Sequence, residues 1–371
     1  MVRVNQRLLG DRCETVRAMR GLLLCLLVVG WMAGACGSAH AKRAKDYLKQ
    51  PEAWYASPEA LTIGDNILSY QSESGGWPKN QSTCDRAYEG KLKDLKPTYD
   101  NGATTDELRL LARIYNASQQ PKYRDAFERG LAYVLSGQYP SGGWPQFHPP
   151  GRGYARHITF NDNAMVRLML LVREVAEQEQ YAFVSEEQRR ACRAAFHRGI
   201  ECIVKCQIRV DGQPTVWCAQ HDEIDFQPRG ARAFELASFS GGESVGIVRL
   251  LMSVEEPSEE VVAAVEGAGA WFERVKLTGV RLETFKAPEL KSGEDRRLVS
   301  DPAAPPLWAR FYSLDLQKPI FVDRDGIPRE RLEDIGDERR NGYAWFTDTP
   351  RKLLEVEYPK WQRRMAKRAS R

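Results

Sequence analysis

The chain has 371 residues, 42% of them hydrophobic, which is enough apolar material for one large domain or two ordinary ones. Its 54 lysines and arginines nearly balance its 50 aspartates and glutamates, so the net charge is +4. This small excess argues against a nucleic-acid-binding protein, although it is compatible with a local basic site for an acidic ligand.

The N-terminus has the pattern of an export signal. The apolar run 22–29 follows Arg20 and is too short to span a bilayer comfortably. Ala39-His40-Ala41 fits a small-x-small cleavage site, which predicts a signal peptide over residues 1–41, with translation starting at Met19, and a secreted or periplasmic product. Lipid attachment at Cys36 is a less favoured alternative, because the usual leucine three residues earlier is missing.

Five cysteines remain after such cleavage: Cys84, Cys192, Cys202, Cys206 and Cys218. An odd number leaves at least one thiol unpaired. Because no His/Cys cluster around them has the spacing of zinc ligands, we expect buried free thiols.

The first helical stretch, 60–70, leads into a motif that recurs along the chain. Ser74-Gly75-Gly76-Trp77-Pro78 returns 67 residues later as Ser141-Gly142-Gly143-Trp144-Pro145, and the copies follow Gln71 and Gln138. A third, degenerate copy runs from Gln207 to Trp217. A fixed period of this size is typical of repeat proteins, in which no unit buries its apolar face alone.

Helical periodicity follows each copy of the motif. Further helices are predicted after Thr104, over 123–137, after residue 163, over 186–205, after Ser240, over 258–275 and over 349–357. Thr104 with Glu107, and Ser240 with Glu243, have the spacing of capping boxes. From residue 277 the chain is irregular and proline-rich, with a strand-like piece at 319–322, and the basic stretch 360–371 is expected to be a frayed tail.

Pairs of helices joined by long loops, with almost no strand alternation, indicate an all-α fold with few short strands. About three helix-pair repeats predict an incomplete α/α toroid that carries its long loops on one face. Loops of this length in a compact domain are usually functional.

Three polar residues recur at similar offsets within the repeats. Asp162 and Arg232 each lie 20 residues after the glycine of their repeat, and Asp100 lies 25 residues after its own. If the repeats are related by rotation, the three side chains converge on one cleft. Carboxylates are hard oxygen ligands that suit Ca²⁺.

Each of these residues also has a purely structural interpretation. Asp100, before Asn101-Gly102, fits a turn, and Asp162 fits a helix N-cap. Arg232 fits a surface ion pair. His221 lies close to Arg232 in sequence and is a further candidate for contact with a ligand.

An ordered set of motifs resembles the pectate lyases of polysaccharide lyase family ten. The set comprises 75–80 (GGWPKN), 100–104 (DNGAT), 158–165 (ITFNDNAM), 217–222 (WCAQHD), 231–235 (ARAFE), 308–312 (WARFY) and 319–326 (PIFVDRDG). The resemblance covers nearly all of residues 50–357.

This resemblance implies a catalytic domain over residues 42–371 that cleaves polygalacturonate by calcium-assisted anti β-elimination. Asp100 and Asp162 would hold the Ca²⁺, and Arg232 would be the base. The substrate-binding residues would be Lys79, Asn101, His221, Arg310 and Arg324. Because cations crowd Arg232 in this arrangement, a lowered pKa of its guanidinium and activity at alkaline pH are expected. We expect a monomer without a stable membrane span.

Two other functions are compatible with the same residues. A glycoside hydrolase on a similar toroid would use Asp100 and Asp162 as its carboxylate pair. A non-catalytic pectin-binding protein would use the cationic residues alone. The retention of Arg232 with both aspartates favours the lyase.

Overall fold

Helices make up about half of the structure, a computed structural model that describes residues 42–369. The α-helices are α1 (Ala44–Tyr47), α2 (Pro58–Ser69), α3 (Thr105–Ser118), α4 (Pro121–Ser136), α5 (Ala164–Glu177), α6 (Glu186–Cys206), α7 (Glu243–Met252), α8 (Glu259–Val275), α9 (Asp337–Gly342), α10 (Thr349–Lys352) and α11 (Tyr358–Ala369). The described residues fall in one compact unit. The predicted signal peptide, the start at Met19 and the alternative at Cys36 lie outside the described residues.

The strands are short and pair locally. They are β1 (Ile158–Thr159), β2 (Arg209–Val210), β3 (Gln213–Pro214), β4 (Gln220–His221), β5 (Pro228–Arg229), β6 (Phe239–Ser240), β7 (Val280–Lys286), β8 (Glu294–Ser300), β9 (Trp308–Ala309), β10 (Phe311–Tyr312), β11 (Phe321–Val322), β12 (Pro328–Arg329) and β13 (Phe346–Thr347). All pairings are antiparallel: β1-β4-β5, β6-β10, β9-β13, β11-β12, β2-β3 and β7-β8. The prediction of a mostly helical chain with few short strands is confirmed.

The long helices form two rows. One row contains α2, α4, α6 and α8, each in contact with the next, and the other contains α3, α5 and α7. The rows pack on one another through α2 with α3, α3 with α4, α5 with α6 and α7 with α8. The helices of the first row are called the outer helices. Serine caps start three of them, α2, α6 and α8, where the hydroxyls of Ser57, Ser185 and Ser258 accept backbone N–H bonds. No helix within residues 42–369 is long and apolar enough to cross a membrane.

The recurring glutamines join each repeat to the next. Each side-chain amide donates one hydrogen bond to a carbonyl of its own loop and one to a carbonyl of the following outer helix. The partners are Gly75 and Ala126 for Gln71, Gly142 and Ala195 for Gln138, and Thr215 and Ala264 for Gln207, at 2.7–2.9 Å. The repeat predicted from the sequence is therefore present as a set of equivalent hydrogen bonds.

The recurring tryptophans close the end of the helix before them. Trp77, Trp144 and Trp217 are fully buried, and each indole N–H donates to a carbonyl near the C-terminus of the preceding outer helix. These bonds satisfy carbonyls that a helix end leaves without an intrahelical partner. Trp308 bonds to Phe272 O of α8 in the same way and extends the series to a fourth member.

The two predicted capping boxes have different outcomes. Thr104 precedes α3, but its hydroxyl bonds to Trp77 N and Thr98 O instead of capping the helix, and Glu107 accepts from Thr83. The capping box predicted there is wrong because Thr104 fastens the loop to the motif. Ser240 does accept from Glu243 N at 3.1 Å, although Gly242 is the N-cap.

The C-terminal third is more regular than predicted. The seven-residue strands β7 and β8 form a hairpin in the region that was expected to be irregular. The expected frayed tail is instead α11, which is anchored by the buried ring of Trp361. The cysteine prediction is confirmed, since all five described cysteines are buried and free.

Candidate active site

Two short 3₁₀ turns bring the first candidate residues together. Asp100–Gly102 ends the loop before α3 and Asn161–Asn163 ends the loop before α5, and the two turns contact each other. The second and third residues of each turn have positive φ, and the first of these two is Asn101 in one turn (φ 56°) and Asp162 in the other (φ 52°). Asp162 is therefore equivalent to Asn101, and Asp100 to Asn161. The predicted equivalence of Asp100 and Asp162 is wrong by one position.

Asp100 is buried and held from two loops. Lys79 Nζ forms an ion pair with its Oδ2, and Gln146 Nε2 donates to the same oxygen at 3.0 Å. Its Oδ1 is buried and has no hydrogen-bond partner among the described residues. One carboxylate oxygen thus lacks the compensation that buried polar atoms normally have.

Asp162 lies beside Asp100 but is more open, with 42% of its side chain exposed. Asn161 Nδ2 donates to its Oδ2 at 2.9 Å, and Arg310 Nη2 lies 3.6 Å from its Oδ1. Burial raises the pKa of Asp162, and the nearby charges of Asp100 and Glu243 add to that rise, while Arg310 opposes it. The pocket therefore holds more negative charge than Arg310 alone neutralises.

Arg310 is fixed between the second and third loops. Strand β10 pairs with β6 immediately before α7, which places Arg310 against Glu243, the first residue of α7. Arg310 Nη2 donates to Glu243 Oε1 at 2.7 Å and to Asn161 Oδ1 at 3.1 Å. Burial works against the charge, but Glu243 and Asp162 outweigh it and raise the pKa of Arg310.

Arg232 lies in the third loop, eight residues before Ser240. Arg232 is not the repeat equivalent of Asp100. In the third repeat that position is taken by Gly242, which lies two residues after the loop residue whose N–H donates to the carbonyl of the motif tryptophan. Arg232 Nε donates to Glu235 Oε2 at 2.7 Å, and its Nη2 pairs with Oε1. Tyr343 Oη donates to Glu235 Oε1 at 2.7 Å.

The hydrogen bonds that Arg232 donates to Glu235 raise the pKa of Arg232, whereas crowding by other cations was expected to lower it. This expectation is wrong, because the closest charge is the buried carboxylate of Glu235. The side chain of Arg232 is nevertheless 47% exposed, so it is accessible to a ligand.

Four arginines surround the rings of Phe234 and Tyr343. The guanidinium carbons lie 4.7 Å (Arg232), 5.8 Å (Arg324) and 4.5 Å (Arg339) from the Phe234 ring, and Arg310 lies 4.7 Å from the Tyr343 ring. Arg324 is 65% exposed and pairs with Glu338. This arginine cluster reaches Asp162 through Arg310 and supplies planar cations, which suit carboxylate recognition.

Comparison with known proteins agrees with this geometry. The family model for pectic acid lyases matches residues 71–354. The chain belongs to the pectic acid lyase family.

Solved structures place the lyase more narrowly. The family 10 polysaccharide lyase from Cellvibrio cellulosa is 33% identical, with a TM-score of 0.73 over 85% of this chain and 95% of that one. A mutant of that enzyme in complex with trigalacturonic acid is 32% identical, with a TM-score of 0.72 over 85% and 96% of the two chains. Comparison with curated protein sequences found no match. The resemblance read from the motifs is confirmed, and the enzyme class is a polysaccharide lyase and not a glycoside hydrolase.

His221 does not face the cleft of the lyase. Its ring is fully buried, Nε2 accepts from Cys218 N at 2.9 Å, and Nδ1 bonds to Phe226 O at 2.8 Å. Burial lowers the pKa of His221 to about 4, so the ring is neutral. The predicted contact with substrate is replaced by a structural role, because β4 pairs on both sides and turns this ring inward.

A second polar cluster lies on the β1-β4 pair. Within residues 42–369, His157, Asp222 and Glu223 are the one group of three potential ligand residues whose donor atoms all lie within 4.8 Å. Arg156 pairs with Glu223 and Arg229 pairs with Asp222, so both carboxylates are already neutralised. We assign no metal to it.

Sequence reasoning missed four residues that hold the predicted ones. Glu235 binds Arg232, Tyr343 binds Glu235, Glu243 binds Arg310, and Gln146 binds Asp100. Glu235 lies three residues after Arg232, so their spacing is a local signal, and Glu243 was assigned only a capping role. Tyr343 and Gln146 are brought to the site by contacts between distant segments of the chain.

Proposed function

We propose that this lyase cleaves polygalacturonate by anti β-elimination and releases unsaturated oligogalacturonides. The observation that carries the proposal is the meeting of Asp100, Asp162 and Arg310, with Asp100 Oδ1 left without a partner. The complex of the Cellvibrio cellulosa mutant with trigalacturonic acid supports the same class of substrate.

The residues present fit a calcium ion. Asp100 Oδ1 is a buried oxygen without a hydrogen-bond partner among the described residues. Burial and the neighbouring carboxylates raise the pKa of Asp162, and a bound cation would offset the repulsion between these carboxylates. When bound by Asp100 and Asp162, Ca²⁺ would neutralise a uronate carboxylate and so make the adjacent C5 proton more acidic.

The cationic side chains orient the substrate. Lys79, Arg310 and Arg324 provide positive charge, and Arg310 is the most firmly held. In this arrangement their guanidinium and ammonium groups bind uronate carboxylates and stabilise the negative charge that develops during elimination. Asn101, beside Asp100 in the same turn, completes the substrate-binding set.

Arg232 acts as the base in this proposal. Its neutral guanidine nitrogen takes the C5 proton, the electron pair of the C5–H bond forms the C4=C5 double bond, and the C4–O bond to the leaving sugar breaks. The leaving oxygen takes a proton from water. Because Glu235 raises the pKa of Arg232, the neutral form is scarce at neutral pH, and turnover rises with pH.

The remaining expectations belong to the same proposal. The two rows of helices and the repeated glutamine bonds support an incomplete α/α toroid whose catalytic domain spans residues 42–371. The sequence pattern of residues 1–41 supports export to the periplasm or medium, and we propose that the enzyme acts as a monomer.

A direct assay tests the proposal. Polygalacturonate is incubated with the protein, with and without a calcium chelator, and the near-ultraviolet absorbance of the C4=C5 bond is followed. We expect absorbance to rise only without chelator. New reducing ends without absorbance would indicate a hydrolase, and binding without cleavage would indicate a pectin-binding protein.

A further inference from the structure

A cavity of about 610 Å³ opens beside the two residues that hold Asp100. Its walls come from Leu95 and Pro97 of the first loop and from Phe147, Pro149 and Tyr154 of the second. Lys79 and Gln146 also line it, and both bond to Asp100 Oδ2. The cavity therefore adjoins the candidate active site through these two side chains.

The charges around this cavity differ from those around the arginine cluster. The charged residues that line it are Lys79, Lys96 and Asp94. Lys79 is already paired with Asp100, which leaves one cation and one anion. Burial lowers the pKa of His148, so that ring adds no charge at neutral pH. Positive charge is therefore not in excess among the lining residues, and Asp94 would repel a free uronate carboxylate.

The apolar wall is firmly built. His148 N donates to Tyr133 Oη at 3.1 Å, which ties the wall to α4. Phe147 packs against Gly151, where an added Cβ would lie 2.7 Å from its ring. The ring of Tyr154 is 39% exposed at the mouth of the cavity. After Glu235 and Tyr343, Tyr154 is among the groups that raise the pKa of Arg232, so it lies within electrostatic reach of that residue.

We propose that this cavity is a subsite for a methyl-esterified galacturonosyl residue, with the exposed face of Tyr154 as its sugar platform. A methyl ester removes the negative charge that Asp94 disfavours and adds an apolar group that Phe147, Leu95 and the prolines can cover. The inference rests on the proposed function, because it treats the cavity as part of the cleft that binds the polyuronide. It predicts a preference for partly esterified chains in which the reacting residue is a free acid.

The test compares kcat/KM on partly methyl-esterified pectin with kcat/KM on polygalacturonate. Loss of one aromatic platform typically costs about tenfold, so Tyr154→Ala should lower the pectin-to-polygalacturonate ratio by about that factor. Tyr154→Phe keeps the ring and should keep the ratio. Asp94→Asn should raise activity on polygalacturonate and thereby lower the ratio without weakening activity on pectin. Equal losses on both substrates in Tyr154→Ala would overturn the inference.

Calorimetry separates this inference from the proposed function. If the protein turns over neither polymer, two oligogalacturonides of equal length, one partly methyl-esterified and one not, are titrated into wild type and Tyr154→Ala. Tighter binding of the esterified form that disappears in Tyr154→Ala supports the subsite. Equal binding of the two forms to wild type overturns it.

Discussion

Arg232 and Glu235 form a two-point ion pair: Nε donates to Oε2 at 2.7 Å and Nη2 pairs with Oε1. Glu235 is buried and receives a further hydrogen bond from Tyr343. Such bidentate pairs are strong and fix the plane of the guanidinium. Glu235 therefore fixes the orientation of Arg232 and also keeps it protonated. A fixed orientation favours a role as base, whereas a retained proton opposes it.

The pH dependence of turnover should report this opposition. Glu235 raises the pKa of Arg232, so the neutral base appears only as the pH rises. Replacing Glu235 with Gln removes the negative charge but keeps an acceptor, and should move the alkaline limb of the kcat profile to lower pH. The measurement is kcat on polygalacturonate across the alkaline range. A limb that stays in place or moves to higher pH would show that Glu235 does not control the base.

The calcium dependence of turnover should be lost when Asp162 is replaced, and it should persist when a residue of the second polar cluster is replaced. Asp162→Ala removes one of the two proposed ligands and should abolish metal-dependent turnover while the helical circular dichroism signal persists. Glu223→Gln is the matched control, because Glu223 lies in the His157 cluster and pairs with Arg156. Its turnover should keep the same response to added Ca²⁺. Full activity of Asp162→Ala in chelator would remove the metal assignment.

The buried partner of Arg310 should matter more for stability than the exposed partner of Arg324. Glu243→Gln leaves a largely buried guanidinium without its nearest charge partner, with only Asp162 at 3.6 Å remaining, and should destabilise the fold by about 3 kcal/mol. Glu338, which pairs with Arg324 and Arg339, is 57% exposed, so Glu338→Gln should leave urea unfolding nearly unchanged. Similar midpoints for the two variants would show that Glu243 does not anchor Arg310.

The Gly-Gly-Trp motif contains a glycine whose replacement should be costly. Gly142 has φ +93°, and a Cβ there would lie 2.1 Å from Arg198 O, so Gly142→Ala should destabilise the fold by about 2–4 kcal/mol. Gly212 also has a positive φ but has nothing within 4 Å of an added Cβ. Gly212→Ala should therefore cost only about 1 kcal/mol. Equal losses of stability in the two variants would mean that the structure moves away from the added Cβ at Gly142 at no cost.

The repeat itself was predictable because its marker residues recur within short stretches of sequence. Gln71, Gln138 and Gln207 recur at nearly constant spacing, and the structure shows why: each bridges its own loop and the next outer helix. The third copy is degenerate in contacts as well as in sequence. Arg129 and Arg198 bind the glutamine oxygens in the first two repeats, whereas Gln207 Oε1 has no partner among the described residues.

The site was only partly predictable, because its assembly depends on contacts between distant loops. Counting from the glycines placed Asp100 opposite Asp162, but loops of unequal length shift the equivalence to Asn101. His221 looked available in sequence, yet the pairing of β4 with β1 and β5 buries it. The local sequence assigns Glu243 only a capping role, because its partner Arg310 lies 67 residues further along the chain.

The most direct measurement is the turnover of Arg232→Lys on polygalacturonate, followed by absorbance of the unsaturated product, with calorimetric binding of an oligogalacturonide alongside. Lysine keeps the charge but loses the fork, so turnover should fall at least about a hundredfold, nearly as far as in Arg232→Ala. Both variants should still bind, because Lys79 and Arg310 remain, whereas Arg324→Ala should weaken binding as well as rate. If Arg232→Lys keeps more than about a tenth of wild-type turnover, against the hundredfold loss expected for a missing base, Arg232 only positions the substrate and the base lies elsewhere.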